Sequence, residues 1–401
     1  MNKSNLSLNK VNTLSSSLQS GCSPLIVGID ASRNRSGGAI AHLRGLIEAG
    51  NPQIHGISNV HLWAHDDLID RIGERTWLTL HRVAETRGPI YRQLWWQYAQ
   101  LPALARALKI DVLFNSDAGS VCSFPCTATL SQDMLSFEPG EMQRYSWTSL
   151  ARLRLEILKF VQLRRLKRST LAIFLSEHAR TVIGRYIQLP HAVTIPHGID
   201  PAFRAVVQTR RHWPLKGPIM CLYISNTAPY KHQWNVVEAV ARLRHTSAHD
   251  IRLRLVGGGR GSSHGRLLRA IEQFDPHGEF VELVDFAPHD TIPSELAEAD
   301  IFIFASSCEN LPITLLEAMA SGIAICSSDR GPMPEVLGPE AIYFDPEAPT
   351  TITEAIRSMI EDPIRRETSR AASLERSASY TWETCAEKTW AALALIARGL
   401  S

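Results

Sequence analysis

The sequence predicts an α/β protein built from two doubly wound domains. Short apolar runs rich in β-branched residues, such as 25–30 and 301–304, alternate along the chain with helical patterns. Glycines and polar side chains follow directly after several of these runs, which is typical of the carboxyl ends of parallel strands. The chain has 401 residues, so two domains of about 200 residues each are expected.

Composition describes an ordinary globular protein, with 44% hydrophobic and 20% charged residues. The formal net charge of +2 gives the chain no overall attraction to nucleic acid, and we expect no nucleic-acid partner. The seven cysteines are an odd number and include no CxxC pair. This pattern argues against a disulfide framework or a metal site and favours a reducing cytosol.

The first 22 residues are polar and rich in Ser and Asn, and they contain no apolar core of a signal peptide. We expect them to form a disordered leader. No apolar run approaches the ~20 residues needed to span a bilayer. These features predict a cytoplasmic protein that can associate only peripherally with the inner face of the cell membrane.

The predicted domains are 23–203 and 216–382, separated by a stretch rich in Pro and Arg. The first domain opens with strand 25–30, then Gly37 and Gly38, then a helix to Ala49. Such a turn brings a backbone close to a phosphate, which a helix N-terminus then binds. A glycine pair is also common in tight turns without any ligand. His42 in this helix either points at a ligand cleft or packs in the core.

The most informative stretch is a strand, loop and helix with two carboxylates. Strand 301–304 leads into Glu309, and Pro312 marks a helix start that Gly322 terminates. Glu317 lies about five residues into this helix, which places it roughly 8 Å deeper than Glu309 at about 1.5 Å per residue. Two carboxylates staggered in this way can hold the hydroxyl groups of two different sugar rings.

Glu309, seven intervening residues, Glu317 and then Ala-Met-Ala-Ser-Gly resemble the signature of retaining family-4 glycosyltransferases of the GT-B fold. The resemblance extends over roughly residues 25–395 and is most specific from 219 to 345. It implies two Rossmann-like doubly wound domains facing across a cleft that binds a nucleoside-diphosphate sugar, with helix 383–401 returning to the first domain. By this resemblance Glu309 contacts the transferred sugar and Glu317 the nucleotide ribose.

Other segments extend the resemblance. Lys231, between a strand and a helix, matches the family lysine that holds the donor diphosphate, and Gly37-Gly38 match the N-terminal glycine loop. Residues 195–200, IPHGID, resemble the family's IPHGVD segment. The implied catalytic residues are Glu309, Lys231 and Asp133. The implied donor-binding residues are Gly37, Gly38, Asn226, Lys231, Glu309, Asn310, Leu311 and Glu317.

The chain departs from the family pattern at three positions. Asn226 stands where the family has an arginine, so it can donate a hydrogen bond to a phosphate but cannot neutralise it. Gln132 stands where a His often precedes the aspartate, so only Asp133 carries over, either near the acceptor or as a turn residue. Pro312 replaces a usual glycine in the loop beside Glu309.

The resemblance implies a hexosyltransferase-type enzyme that needs no metal or other cofactor. Its partners would be a nucleotide-sugar donor and a glycan or lipid-linked acceptor of surface polysaccharide, lipopolysaccharide or glycolipid synthesis. Two alternatives remain. Another GT-B nucleotide-sugar enzyme, such as an epimerase, would lack the Glu309–Glu317 spacing. A non-catalytic binding or scaffold protein would explain Asn226 and Gln132.

One further stretch, 150–168, has seven basic residues, one acidic residue and interleaved apolar residues. This composition is typical of an amphipathic helix on an anionic membrane surface. A core-packed helix with a solvated basic face has the same composition, so both interpretations stay open at this stage.

Overall fold

The computed structural model describes residues 23–35, 37–189, 191–209, 213 and 217–399. These residues form two compact units. Unit 1 takes in the described residues up to Phe137, then Tyr145–Gly198, then those from Thr381 onward; unit 2 consists of Glu138–Arg144 and Ile199–Tyr380. The predicted disordered leader, 1–22, lies outside the described residues.

Unit 1 is built around a parallel sheet of seven strands in the order β3-β2-β1-β4-β5-β6-β7. Its central strands are buried along their length, as expected for a parallel sheet covered on both faces. The strands are β1 (Leu25–Ala31), β2 (Ile57–Ala64), β3 (Leu78–Arg82), β4 (Val112–Asn115), β5 (Thr127–Ser131), β6 (Leu171–Phe174) and β7 (Ala192–Thr194).

The helices of unit 1 connect these strands and cover the sheet. They are α1 (Gly37–Ala49), α2 (Asp66–Ile69), α3 (Ile90–Trp95), α4 (Leu101–Ala107), α5 (Leu150–Arg168), α6 (Glu177–Gly184) and the C-terminal α15 (Trp382–Ala397). A π-helical turn, Trp96–Gln100, joins α3 to α4. Helix α15 packs on α1, where Gly45 gives the Trp382 indole its space: a Cβ at Gly45 would lie 2.2 Å from Trp382 Cδ2.

Unit 2 has a six-stranded parallel sheet in the order β10-β9-β8-β11-β12-β13. Its strands are β8 (Ile219–Ile224), β9 (Ile251–Val256), β10 (Val281–Val284), β11 (Ile301–Phe304), β12 (Ala324–Ser328) and β13 (Ile342–Phe344). Its helices are α7 (Pro201–Ala205), α8 (Gln233–Thr246), α9 (Ser262–Phe274), α10 (Ile292–Glu298), α11 (Ile313–Ala320), α12 (Met333–Leu337), α13 (Pro349–Glu361) and α14 (Pro363–Ser377).

Both sheets are doubly wound, as the sequence predicts. In unit 1 the strand order reverses between β1 and β4, and in unit 2 it reverses between β8 and β11. The register pairs Ile301 with Cys221 and Phe302 with Leu222, which aligns the carboxyl ends of β8 and β11. Loops at such a reversal point leave a crevice between them, where sheets of this kind bind ligands.

The segment Glu138–Arg144 was not anticipated from sequence as part of the second unit. It lies between β5 and α5 along the chain, yet it belongs to unit 2. Ser307 Oγ donates to Glu141 Oε1 at 2.6 Å, and Arg144 pairs with Glu347 at 2.7 Å. A sequence pattern carries no signal for such contacts, because their partners lie some 160 or more positions away.

Helix α5 confirms the helix predicted at 150–168 but not the predicted role of every basic residue. Arg165 is buried, and its guanidinium donates to the Cys122 carbonyl and, at 3.0 Å, to Thr127 Oγ1. The interpretation of Arg165 as part of a surface charge cluster is therefore wrong. Within the described residues no helix is both long enough and apolar enough to cross a bilayer.

Candidate active site

The reversal point of the unit 2 sheet carries the two charged residues singled out from the sequence. Lys231 ends the connection after β8, and Glu309 lies in the loop after β11. The Lys231 ammonium forms an ion pair with Glu309 Oε1. Their side chains are only 11% and 16% exposed, so water screens this pair less than it screens a surface pair.

The backbone around Lys231 is held in place by its neighbours. Tyr223 Oη, at the buried end of β8, donates to the Lys231 carbonyl at 2.7 Å. His232 follows in the left-handed region with φ 49°, which a residue with a side chain rarely adopts. Its ring Nε2 lies 3.0 Å from Ser307 Oγ, which ties the loop after β8 to the loop carrying Glu309. Burial lowers the pKa of His232 to about 4.

The helix start beside Glu309 differs slightly from the predicted one. Pro312 occupies the N-cap position of α11 rather than the first helical turn, because its backbone is extended (φ −79°, ψ 105°). Asn310 and Leu311 are buried in the preceding loop. The helix ends as predicted before Gly322, whose φ of 67° is readily available only to glycine.

Glu317 is the fifth residue of α11 and is buried, with 3% of its surface exposed. Its Oε1 lies 2.8 Å from Nε2 of His289, whose side chain is 63% exposed. Burial raises the pKa of Glu317, and the His289 hydrogen bond partly opposes that rise. Glu317 thus has one partner that solvent or a ligand can reach.

The glycine-rich loop after β9 approaches the loop after β8 very closely. Gly257 has φ 111°, and a Cβ there would lie 2.5 Å from the Ser225 carbonyl oxygen. Thr227 N donates to the Gly258 carbonyl, while the buried Thr227 hydroxyl has no hydrogen-bond partner among the described residues. Asn226 is exposed beside it. The two loops therefore pack backbone against backbone, and the Thr227 hydroxyl remains available to a ligand.

The predicted residues of unit 1 lie at the ends of its strands. Gly37 and Gly38 open α1 and are exposed, and a Cβ at Gly37 would meet no atom within 4 Å. Packing therefore does not explain why Gly37 is a glycine. Asp133 follows β5 and accepts a hydrogen bond from Leu135 N at 2.9 Å. Burial raises the pKa of Asp133. Its present contact is that of a turn residue.

The structure resolves the question left open for His42. His42 is buried, and its Nδ1 lies 2.9 Å from Nδ1 of His197, the histidine of the IPHGID segment. Both rings also pack on Trp382, with ring centroids 6.1 and 5.9 Å away. Burial lowers the pKa of His42 to about 4, so it is neutral at physiological pH. His42 packs in the core.

The fold thus brings Lys231 to Glu309 and sets Glu317, Asn310 and Leu311 on the same loop and helix. The roles assigned to these residues stay predictions. Sequence reasoning missed Thr227, His289 and Ser307. Of these only His289 had a usable signal. The family resemblance implies that the loop after residues 281–286, in which His289 lies, contacts the nucleotide base. No cluster of three or more potential metal-ligating side chains occurs in the part of the chain that the structure describes.

The two Rossmann-like units, each with a parallel sheet whose strand order reverses, have the GT-B fold. In agreement, sucrose-phosphate synthase from Thermosynechococcus elongatus matches 94% of this chain and 99% of its own with a TM-score of 0.72 at 18% identity. Anabaena HepE in complex with UDP and glucose matches 92% and 99% with a TM-score of 0.69 at 16% identity. Residues 208–376, which lie within unit 2, match the family "Glycosyl transferases group 1".

Sequence relatives match only part of the chain. The O-antigen chain mannosyltransferase B of Escherichia coli is 26% identical over 171 residues, which are 42% of this chain and 44% of that protein. The putative colanic acid biosynthesis glycosyltransferase WcaL of Salmonella typhimurium is 28% identical over 149 residues, 35% of this chain and 36% of that protein. The chain therefore spans less than half the length of these relatives.

Proposed function

We propose that this protein transfers a sugar, with retention of anomeric configuration, from a nucleoside-diphosphate sugar to a hydroxyl group of a bacterial surface glycan. The observation that carries the proposal is the shielded Lys231–Glu309 ion pair at the reversal point of the unit 2 sheet. Relatives named for O-antigen and colanic acid synthesis, and a neighbour bound to UDP, support this choice of acceptor and donor.

The ion pair suits a site that receives an anionic donor. A diphosphate competes with Glu309 for the Lys231 ammonium, and its two phosphates offer a stronger negative charge than one carboxylate. Once Lys231 turns to the diphosphate, Glu309 becomes available to accept hydrogen bonds from the donor sugar. In this proposal the Thr227 hydroxyl, which has no hydrogen-bond partner among the described residues, and the Asn226 amide donate to the same phosphates.

Glu317 and His289 suit the ribose. A buried carboxylate with one accessible neighbour can accept hydrogen bonds from two vicinal hydroxyl groups. Desolvation disfavours its ionised form, and hydrogen bonds from ribose hydroxyls would stabilise that form. Nucleotide binding would therefore favour the ionised form of Glu317.

In the proposed reaction the bond between the sugar's anomeric carbon and the diphosphate oxygen breaks. A bond forms on the same face between that carbon and the acceptor oxygen, and the departing phosphate takes the acceptor's proton. Negative charge grows on the leaving diphosphate, which Lys231 and the N-terminus of α8 stabilise electrostatically. This chemistry needs neither a covalent carboxylate intermediate nor a metal ion.

Thermal shift against UDP-, GDP-, ADP- and dTDP-sugars tests donor binding. A ligand at 100 times its Kd stabilises the fold by about 2.7 kcal/mol, which a melting experiment readily detects. Nucleoside diphosphate release in the presence of EDTA then tests turnover. Glu309→Gln should lose turnover, whereas Glu272→Gln, a matched exposed glutamate on α9, should keep it.

The two alternative functions predict other results. A scaffold protein would bind a nucleotide-sugar without releasing diphosphate under any acceptor. An epimerase would interconvert sugars without an acceptor. Equal rates for wild type and Glu309→Gln would disprove the proposed site.

We also propose that unit 1 docks on an anionic membrane surface through α5. Four apolar side chains at helical spacing are exposed on this helix, from Leu150 (84%) through Leu153 and Ile157 to Phe160 (66%). The same stripe continues into exposed basic residues, namely Arg164, Lys167 and Arg168. Apolar contact plus cationic charge is the combination that holds a helix in the headgroup region.

A second exposed stripe supports this face. Tyr91, Trp95 and Tyr98 are 64%, 57% and 68% exposed. The β3–β4 and β5–β6 connections run in the same direction across the sheet, so right-handed crossovers put α3 and α5 on one face. Trp and Tyr side chains favour the membrane–water interface.

Vesicle sedimentation tests the membrane proposal. Replacing Arg164, Lys167 and Arg168 together with Gln should abolish binding to phosphatidylserine vesicles, because each exposed cation contributes about 1 kcal/mol near such a surface. A triple Gln variant of Arg266, Arg269 and Arg365, exposed residues of unit 2, serves as the control. Arg165 is left intact because its guanidinium is buried. Unchanged sedimentation of the α5 variant would contradict the proposal.

A further inference from the structure

A polar cavity of about 540 Å³ lies in unit 2 beside the candidate active site. The loops after β11, β12 and β13 contribute Ser307, Arg330, Gly331 and Glu347 to its wall, and residues of the segment Glu138–Arg144 form the remainder. Its volume falls within the range of small-molecule sites. None of the roles assigned above uses this cavity.

Most of the residues proposed to bind the nucleotide lie in the loops after β8, β9 and β10, and Glu317 lies on α11. The cavity is framed by the loops after β11, β12 and β13, so it extends to the other side of β11. It nevertheless adjoins Glu309: a Cβ at Gly331 would lie 3.8 Å from Glu309 N. A ligand in the cavity would therefore be next to the sugar that Glu309 is proposed to hold, without competing with the nucleotide.

The lining identifies the class of ligand. Three carboxylates and two guanidinium groups line the cavity, together with an amide and a hydroxyl, and its lining includes no aromatic or branched aliphatic side chain. An apolar ligand would gain little contact there. A ligand with many hydroxyl groups can donate to the carboxylates and accept from the guanidinium groups at the same time.

Both arginines are already neutralised. Arg144 Nε lies 2.8 Å from Glu141 Oε2, and its Nη1 lies 2.7 Å from Glu347 Oε1. Arg330 pairs with Asp329 at 3.0 Å and with Asp345 at 3.1 Å. With Asp329 and Asp345, five carboxylates surround these two guanidinium groups, so the charge around the cavity is net negative and disfavours a phosphate or carboxylate ligand. An uncharged ligand fits it best.

The wall is held by a buried contact to the loop that carries Glu309. Ser307 Oγ donates to Glu141 Oε1 at 2.6 Å, and Ser307 N donates to the Tyr230 carbonyl at 2.8 Å. Ser307 precedes Glu309 by two residues. A ligand held by the segment Glu138–Arg144 is thereby fixed relative to Glu309, as an acceptor hydroxyl must be to reach the anomeric carbon.

We propose that this cavity is the binding site for an uncharged glycan acceptor, specifically for the sugar units next to the accepting hydroxyl. This inference rests on the proposed transferase function. It adds an acceptor subsite built within unit 2, and it excludes phosphorylated sugars as the preferred ligand of that subsite.

Saturation-transfer NMR tests the subsite without any turnover. The probes are α-linked mannobiose and maltose, with glucose 6-phosphate as the anionic comparison, each measured with and without saturating UDP or GDP. Gln143→Trp places an indole into the cavity from an exposed lining position. Gln273→Trp, at an exposed position of α9, is the matched control.

We expect a neutral disaccharide to bind wild type and Gln273→Trp whether or not nucleotide is present. Gln143→Trp should raise its Kd at least about tenfold, equivalent to about 1.4 kcal/mol. Displacement by UDP or GDP, binding of glucose 6-phosphate alone, equal binding by both Trp variants, or no disaccharide binding would each overturn the subsite. A failure of the transferase proposal is detected by a different measurement, namely the absence of nucleoside diphosphate release.

Discussion

The ends of the strands carry different chemistry in the two units, although both sheets reverse their strand order in the same way. In unit 2 the reversal point holds the Lys231–Glu309 ion pair, whose side chains are 11% and 16% exposed. In unit 1 the corresponding strand β1 carries Asp30 as its next-to-last residue, and Asp30 is buried. Its carboxylate accepts hydrogen bonds from Ser32, Gln97 and Ser120 at 2.6–3.2 Å.

This difference shows that a doubly wound sheet can use its reversal point in two ways. Four hydrogen bonds occupy both oxygens of the Asp30 carboxylate and fix the loops around it, which leaves the carboxylate no accessible bonding capacity. The two charged side chains of unit 2 are more exposed than Asp30 and are paired with each other. The family match, residues 208–376, falls entirely on unit 2.

The largest expected effect comes from removing the unit 2 cation. Lys231→Ala should lower kcat by about 10²–10³, because it removes the cation that is proposed to neutralise the departing diphosphate. Lys231→Arg keeps the charge and should recover part of the rate. Steady-state diphosphate release measures both. A wild-type rate in Lys231→Ala would contradict the proposal that the reversal point of unit 2, unlike that of unit 1, takes part in the reaction.

Two buried carboxylates then sharpen the comparison. Asp30→Ala leaves the buried Gln97, Ser32 and Ser120 donors without their acceptor and should reduce the free energy of unfolding by at least about 2 kcal/mol. Glu317→Ala leaves an exposed His289 and should cost less stability but more donor affinity. Urea unfolding and donor titration of both variants separate the outcomes; a reversed ranking would contradict the assignment.

The protonation of Glu317 gives a pH-dependent prediction. Its pKa is raised in the folded state above the ordinary 4.5, so between those two pKa values the folded state binds more protons than the unfolded state. Stability therefore falls as pH rises through this window. Glu317→Gln should lose that pH dependence and melt at or above the wild-type temperature at neutral pH. A parallel pH–Tm curve for the variant would show that Glu317 does not titrate as described.

Two glycines of α1 provide the smallest contrast, within unit 1. Gly45→Ala puts a methyl group 2.2 Å from the Trp382 ring and should destabilise the protein by about 1–3 kcal/mol. Gly37→Ala meets no atom and should leave Tm unchanged or slightly higher. If the donor diphosphate approaches Gly37, as the sequence predicts, the same variant weakens donor binding. Unchanged donor affinity would remove Gly37 from the site.

Many of the strands and helices could be predicted from the local pattern of apolar residues and glycines along the sequence. The strand at 301–304, the helix with Glu317 at its fifth position and its stop at Gly322 follow from apolar runs and from the backbone preferences of glycine. The error at Pro312 amounts to one position at a helix start, where an extended proline can cap as well as begin a helix. The sequence analysis identified both Lys231 and Glu309 as candidate site residues, but it did not predict the ion pair between them.

The sequence by itself determined the α/β class, the two-domain organisation and the residue types at the unit 2 strand ends, because these follow from local propensity and periodicity. Only the tertiary structure decided which polar groups meet. In the folded protein Arg165 is buried although most residues around it in the helix are basic or apolar. His42 contacts His197, and Ser307 donates a hydrogen bond to Glu141. Such contacts join residues distant in the chain, so the burial and partner of each side chain are fixed only when the sheets assemble.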